Sequence, residues 1–170
     1  MKTRDNYIPK QNHAQLKIDL QNGFINKETE HLVDSISSLQ YNYAHVAATR
    51  FVNEKNSVYR QRFDWHECSI GSEAYHLSFE PVNHALIYDK NKYSGLCENL
   101  TAWLNKNKID RIDLCGINTE VCVLLTAEGL MRTGHNIYLL SDYCASTRGI
   151  EYHKSGLLAA CHIIGDQFVI

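Results

Sequence analysis

Short apolar runs alternate along this chain with longer segments of helical period, and that alternation limits the fold more than any other feature. It is the pattern of a parallel sheet whose strands are joined by crossover helices. The runs that read as strands are Ala14 to Leu20, Ala44 to Arg50, His84 to Asp89, Arg111 to Gly116 and Ile137 to Ser141, with a weaker sixth at Gln167 to Ile170. Between the first two, Leu32, Val33, Ile36 and Leu39 recur at helical spacing within Lys27 to Gln40. Leu96 to Lys106, Thr119 to Arg132 and Glu151 to Ile164 supply three more helices. The expected fold class is therefore α/β, a three-layer α/β/α arrangement around a parallel sheet of Rossmann-like type.

One stretch, Phe51 to Phe79, is polar and aromatic with no clean period. It reads as an excursion over the sheet with one short helix near Ser72 to Leu77, and long insertions of this kind often cover active sites. Only Pro9 and Pro81 interrupt the chain and no low-complexity segment divides it, so residues 1–170 are expected to form a single domain. A net charge of -2 gives no electrostatic footprint for nucleic acid or an anionic membrane, which argues for a small-molecule or protein ligand, the small-molecule substrate being the expectation taken forward. Met1 to Lys10 lacks an apolar core and nowhere do 18 apolar residues run together, so the expected location is cytoplasmic. The six cysteines form no CxxC pair, and a chain of 170 residues does not need disulfide staples. They are read as thiols, most of them small buried hydrophobes.

In an open parallel sheet, ligands bind beyond the carboxyl ends of the strands, where loops and helix N-termini converge. The first strand ends at Asp19, the third at Asp89 and Lys90, and the fourth runs through Gly116 and Asn118 to Cys122 at the start of a helix. A carboxylate, an ammonium and a thiol would thus meet at one sheet edge. Near a helix N-terminus, unpaired N–H groups and the dipole favour a thiolate, which singles out Cys122 among the six. Each residue also has a plainer reading: Cys122 as a buried residue on an apolar face, Asp19 as a turn aspartate before Gln21-Asn22-Gly23, Lys90 as a solvated lysine. Their joint placement, rather than any one of them, carries the expectation of chemistry.

Three strings support it. Asp19-Leu20-Gln21-Asn22-Gly23-Phe24 resembles a D-x-Q-x-x-F segment, Lys90-Asn91-Lys92-Tyr93-Ser94-Gly95-Leu96 a K-x-x-Y-S-[AG]-[FL] stretch, and Gly116-Ile117-Asn118-Thr119-Glu120-Val121-Cys122-Val123 a G-[VI]-x-[TS]-[DE]-x-C-V signature. In that order these resemble the isochorismatase-like cysteine hydrolases, a family that includes nicotinamidases, isochorismatases and carbamoylsarcosine amidases, and the resemblance covers residues 14–164. It implies a six-stranded parallel sheet, with Cys122 as nucleophile, Asp19 as base and Lys90 as the cation that lowers the thiol pKa. It also implies a cis peptide at Ile117–Asn118, with the N–H groups of Asn118 and Cys122 forming an oxyanion hole. Phe24 matches an aromatic that packs on substrate, and Trp65 and Tyr93 are further candidates for substrate contact. The implied reaction is hydrolysis of a small amide through a thioester, without a cofactor, in a homo-oligomer, dimer or tetramer.

The nicotinamidase branch usually carries a metal site, part of it a D-x-H pair just after the second strand. Here Phe51 and Asn53 stand at those places, so the metal site is expected to be missing. Asp64-Trp65-His66 and His76-Leu77-Ser78-Phe79 resemble displaced pieces of it, leaving Asp64, His66 and His76 as an alternative ligand set. Isochorismatase or nicotinamidase activity, a non-catalytic protein that keeps the fold, and a thiol sensor remain alternatives. A cysteine at position 122 favours the amidase-like branch over vinyl-ether hydrolysis.

Overall fold

A computed structural model of the chain describes residues 8–170; the polar start Met1 to Tyr7 lies outside the described residues. Five parallel strands, β1 (His13–Ile18), β2 (His45–Phe51), β3 (Leu86–Lys90), β4 (Arg111–Ile117) and β5 (Asn136–Ala145), form one sheet in the order β3-β2-β1-β4-β5. The central strand β1 is buried at all six positions because both sheet faces are covered. On one face Lys17 reaches Gln40, beyond the end of α1 (Leu32–Leu39). On the other, Ile18 lies beside Gly95 and Thr126, the latter in α4 (Leu124–Arg132). The remaining helices are α2 (Val58–Phe63), α3 (Glu98–Lys106) and α5 (Ile150–Ile164).

The sheet has five strands rather than the six expected. Residues Asp166–Phe168 close a 3₁₀ turn in which the Phe168 N–H reaches the Gly165 carbonyl, so the segment Gln167 to Ile170 pairs with β5 as an isolated bridge of Val169 with Leu139, held by the Ile170 N–H on the Leu139 carbonyl and the Ser141 N–H on the Ile170 carbonyl, rather than as a sixth strand. The first crossover helix is also shorter than its apolar period suggested. Asn26 accepts the Glu28 N–H through its side chain and its own N–H bonds Thr29 Oγ1, and this local turn holds residues 26–30 out of the helix. In the excursion, α2 is capped by Ser57, whose hydroxyl accepts the Arg60 N–H, while the short helix expected near Ser72 is a 3₁₀ turn at Glu73–Tyr75.

Chain reversal in strand order occurs at β1, with β2 on one side and β4 on the other, so the crevice above these strand ends is the natural ligand position. Gly116 allows β1 and β4 to close there: its φ is +122°, and a Cβ would collide with the Ile18 carbonyl oxygen. No helix among the described residues is long and apolar enough to cross a membrane.

Several buried polar side chains break the apolar pattern of the strands, among them Gln15, Lys17 and Asp113. Lys17 is fully buried, donates to Gln40 Oε1 at 2.7 Å and lies 4.2 Å from the Phe79 ring centroid. Burial pulls its pKa down from 10.5 to about 8, with Cys115 acting weakly in the opposite direction. Between those two values the unfolded chain binds more protons than the folded one, so this residue makes stability rise with pH from about 8 to 10.5. Lys17→Met is expected to stabilise the fold at pH 7 by roughly 1 to 3 kcal/mol and to remove that rise. Urea unfolding of parent and variant at several pH values checks it; a stability difference independent of pH would contradict the account.

Candidate active site

Asp19 follows β1 in the left-handed region, with φ +51°, and is fully buried. Thr49 of β2 fixes it twice, accepting the Asp19 N–H at 3.0 Å and donating its hydroxyl to Oδ1 at 2.5 Å. That leaves Oδ2 for Lys90, whose Nζ stands 2.7 Å away with its side chain 3% exposed. The ammonium crosses from β3 above β2, 4.9 Å from the Phe51 ring centroid, and donates to the carbonyls of Lys92 and Tyr93 at 3.0 Å each. A buried ion pair costs desolvation on both partners, and these further hydrogen bonds are what offset it.

Cys122 completes the cluster from the far side of β1. It sits in a π-helical turn, Thr119–Val123, that links β4 to α4, and the Asn118 carbonyl accepts N–H groups from both Val121 and Val123 at 3.1 Å. The peptide Ile117–Asn118 is cis. The turn is pinned from the segment after β5: the Thr147 N–H donates to Asn118 Oδ1 at 2.7 Å, Ser146 donates to Glu120 at 2.7 Å, and Thr119 Oγ1 lies 2.8 Å from His153 Nδ1. A Cβ at Gly156 of α5 would sit 2.7 Å from the Glu120 N, so that helix packs directly on the turn. Cys122 is 5% exposed, and its thiol lies close enough to Asp19 and Lys90 for both charges to act on it.

The three groups therefore meet, as expected from the strand ends. The electrostatics differ from the expectation of a standing thiolate. Burial, followed by the Asp19 carboxylate, pushes the Cys122 thiol above its ordinary pKa, and Lys90, although it acts in the lowering direction, does not outweigh them. For Lys90, burial alone would lower the pKa, but Asp19 and Cys122 together hold it above the ordinary lysine value. The resting arrangement is a protonated thiol beside a carboxylate–ammonium pair. Of the other thiols, Cys68 and Cys115 are pushed to about 12 by burial, and all six cysteines remain thiols.

Aromatic rings wall the cluster. Phe24 stacks on Trp65 at 5.5 Å and meets Phe51 edge-on at 6.3 Å; Phe51 contacts Trp65 at 5.5 Å and Tyr59 at 5.0 Å; Tyr59 contacts Tyr93 at 5.1 Å. The candidates Phe24, Trp65 and Tyr93 thus belong to one wall, joined by Phe51 and Tyr59, which were not anticipated there. A serine cap at Ser57 followed by Val58-Tyr59 was the available signal for α2, but an aromatic in a segment without clean period gave no direction for its ring.

Asp64, His66 and His76 do not come together. Asp64 and His66 are exposed and paired at 2.7 Å, with the Arg60 guanidinium 3.2 Å from the other imidazole nitrogen, whereas His76 packs against Tyr75. Among the described residues no group of three His, Cys, Asp or Glu side chains is placed to hold a metal ion. Phe51 fills its place with a buried ring, and Asn53 is spent on the Trp65 carbonyl and the Ser57 hydroxyl. Those residues do not fit a metal.

Comparison with known proteins matches this geometry to one family. Residues 13–164 match the isochorismatase domain model. The isochorismatase family protein 2A of Dictyostelium discoideum is 28% identical over 80 residues, 46% of this chain and 40% of that protein. The matched region spans about two-fifths of the length of the curated relatives. Among solved structures, an isochorismatase-like hydrolase from Alkaliphilus metalliredigens superposes with TM-score 0.79 at 23% identity, covering 89% of this chain and 91% of that one. A pyrazinamidase of Pyrococcus horikoshii, solved in complex with zinc, gives TM-score 0.79 at 22% identity, covering 89% and 95%. A family match over nearly the whole described chain, on a parallel α/β sheet of the same architecture, shows that this protein belongs to the isochorismatase family of hydrolases.

Proposed function

We propose that the protein is a cysteine-dependent hydrolase of a small-molecule amide, acting through a thioester at Cys122. The observation that carries this reading is the buried contact among Asp19, Lys90 and Cys122, three residues from three strand ends with no evident structural need for one another. Burying a carboxylate and an ammonium costs several kcal/mol per ion before pairing, and sites that bear this cost are commonly functional.

In this reading the Cys122 thiol passes its proton to Asp19 as sulfur attacks the substrate carbonyl. Lys90 stays charged throughout and offsets the negative charge that develops on sulfur. The N–H groups of Asn118 and Cys122 receive the oxyanion of the tetrahedral intermediate. Asp19 then gives its proton to the departing amine, leaving an acyl group on Cys122, and a water activated by the same carboxylate releases the acid. A pyrazinamidase among the structural relatives is an amidase by name, which supports an amide as the bond cleaved.

Rapid-quench mass spectrometry during turnover of a panel of small carboxamides tests it. The expected result is ammonia release together with an acyl adduct on the peptide containing Cys122. Ammonia release with an adduct on another cysteine, or turnover unaffected by blocking Cys122, would reject the assignment.

A further inference from the structure

Asp19, Lys90 and Cys122 come from three different strand ends, so their spacing depends on what ties those ends together. Asp19 and Lys90 are tied directly by their ion pair at 2.7 Å. The other Lys90 donors go to the carbonyls of Lys92 and Tyr93, so the loop from β3 to α3 steers the ammonium. Cys122 belongs to the turn before α4. One side chain spans that loop and that turn. Thr126 of α4 is fully buried; its oxygen accepts the Gly95 N–H at 2.8 Å, and its hydroxyl donates to the Cys122 carbonyl at 2.6 Å. Tyr88 fixes the other side of the same glycine, donating its hydroxyl to the Gly95 carbonyl at 2.7 Å. A Cβ at Gly95 would stand 3.1 Å from Thr49 Cγ2 and 3.3 Å from Thr126 Oγ1, tighter than ordinary contact. The loop is thus wedged between the threonine that holds Asp19 and the threonine that holds Cys122.

We propose that Thr126 is a positioning residue whose one hydroxyl, bonded to the loop that steers the Lys90 ammonium and to the carbonyl of Cys122, sets the distance between that ammonium and the sulfur. A hydroxyl bond to the carbonyl four residues back is ordinary in helices, and Thr101 makes it to Cys97 in α3 at 3.1 Å. Thr126 differs in its second bond, which crosses to a residue 31 positions away in the chain. Without the hydroxyl, the Gly95 N–H becomes a buried donor lacking an acceptor, and the loop has to shift until it finds one. The ammonium is drawn with the loop carbonyls, while Thr49 keeps Asp19 in place and Thr147 and Ser146 keep the Cys122 turn. Lys90 is the group that favours ionisation of the thiol, against burial and Asp19, so its retreat makes the sulfur harder to ionise. What the alignment is for rests on the amidase reading above, and there a misplacement of about 1 Å costs about a hundredfold in rate.

The test compares the parent with Thr126→Val, which keeps the shape and removes the hydroxyl, with Thr126→Ser, which keeps the hydroxyl, and with Thr101→Val, which removes only a local helix bond. Each is alkylated with iodoacetamide at pH 9 and mapped by peptide. Cys122 is expected to react about tenfold more slowly in Thr126→Val, because the rate follows the thiolate and one pH unit in its ionisation is tenfold. Thr126→Ser and Thr101→Val are expected to react as the parent does, and the buried Cys68 and Cys115 to keep their rates throughout. For a carboxamide that the parent turns over, kcat in Thr126→Val is expected to fall about a hundredfold with KM within about twofold, and serine to restore it. An unchanged rate at Cys122 would overturn the proposal. So would faster labelling of Cys122 together with Cys68 and Cys115, the mark of a loosened core, or a serine variant no better than valine. If Thr126→Val does not fold, Thr126→Ala replaces it against Thr126→Ser, since those two differ by the hydroxyl alone, under the same criteria. A parent that releases no ammonia from any carboxamide removes the amidase reading and leaves alkylation to decide the role of Thr126. Turnover by the parent with Cys122 labelled alike in every variant removes the role of Thr126 alone.

Discussion

On the proposed mechanism Cys122→Ala is expected to lower amide turnover by at least about four decades while the fold survives, because a nucleophile that acts as a unit with its base cannot be replaced by the base alone. The substitution removes one sulfur from a turn whose backbone is held elsewhere, by the Asn118 carbonyl, Thr147, Ser146 and the close packing of Gly156. Stability should therefore change far less than activity. Alanine also relieves the Asp19–Lys90 pair of a protonated thiol without leaving either charge unpaired. Single-turnover kinetics with circular dichroism on the same sample measures both quantities. Retained turnover in a folded variant would remove Cys122 from the mechanism.

On the same proposal Asp19→Asn should be nearly as costly to the reaction, by about two to four decades, since a general base acts in the transition state. Its second effect separates it from Cys122→Ala. Asp19 is what offsets the burial of Lys90, whose side chain is 3% exposed. With asparagine there, burial dominates and the Lys90 pKa falls instead of rising. Breaking a buried pair by removing one partner costs about 3 to 5 kcal/mol. In the parent, Lys90 is raised above its unfolded value, so its contribution is fully present below pH 10.5 and is lost only as pH rises through its folded value. Asp19→Asn should abolish that dependence and destabilise the protein at neutral pH, and pairing it with Lys90→Met should recover much of the stability but none of the activity. Denaturant unfolding of the single and double variants decides; a double variant no more stable than Asp19→Asn would reject the ion-pair account.

The strand ends were legible because periodicity reports burial. Apolar runs at Leu16, Val46, Leu114 and Leu139 located the strands, and β1 to β4 end within two residues of the expected place, whereas β5 runs on to Ala145, past the expected end at Ser141. From those ends alone Asp19, Lys90 and Cys122 fall at one edge. The weak run at Gln167 to Ile170 misled because composition there does not reveal a 3₁₀ turn set by a backbone hydrogen bond to Gly165. Lys27 to Gln40 misled for a related reason: the side chains of Asn26 and Thr29 compete for the backbone that a helix would use.

What the sequence determined by itself was thus local and additive: which segments are strands, which order of motifs they carry, and which three polar residues end up at the sheet edge. The tertiary structure decided what depends on distance across the fold. Whether Lys90 crosses β2 to reach Asp19, whether the thiol rests protonated, and whether Phe51 and Tyr59 close an aromatic wall over them are set by packing between elements far apart in the chain. No pattern of neighbouring residues encodes those contacts, because a pKa and a ring stack are properties of what folding brings near.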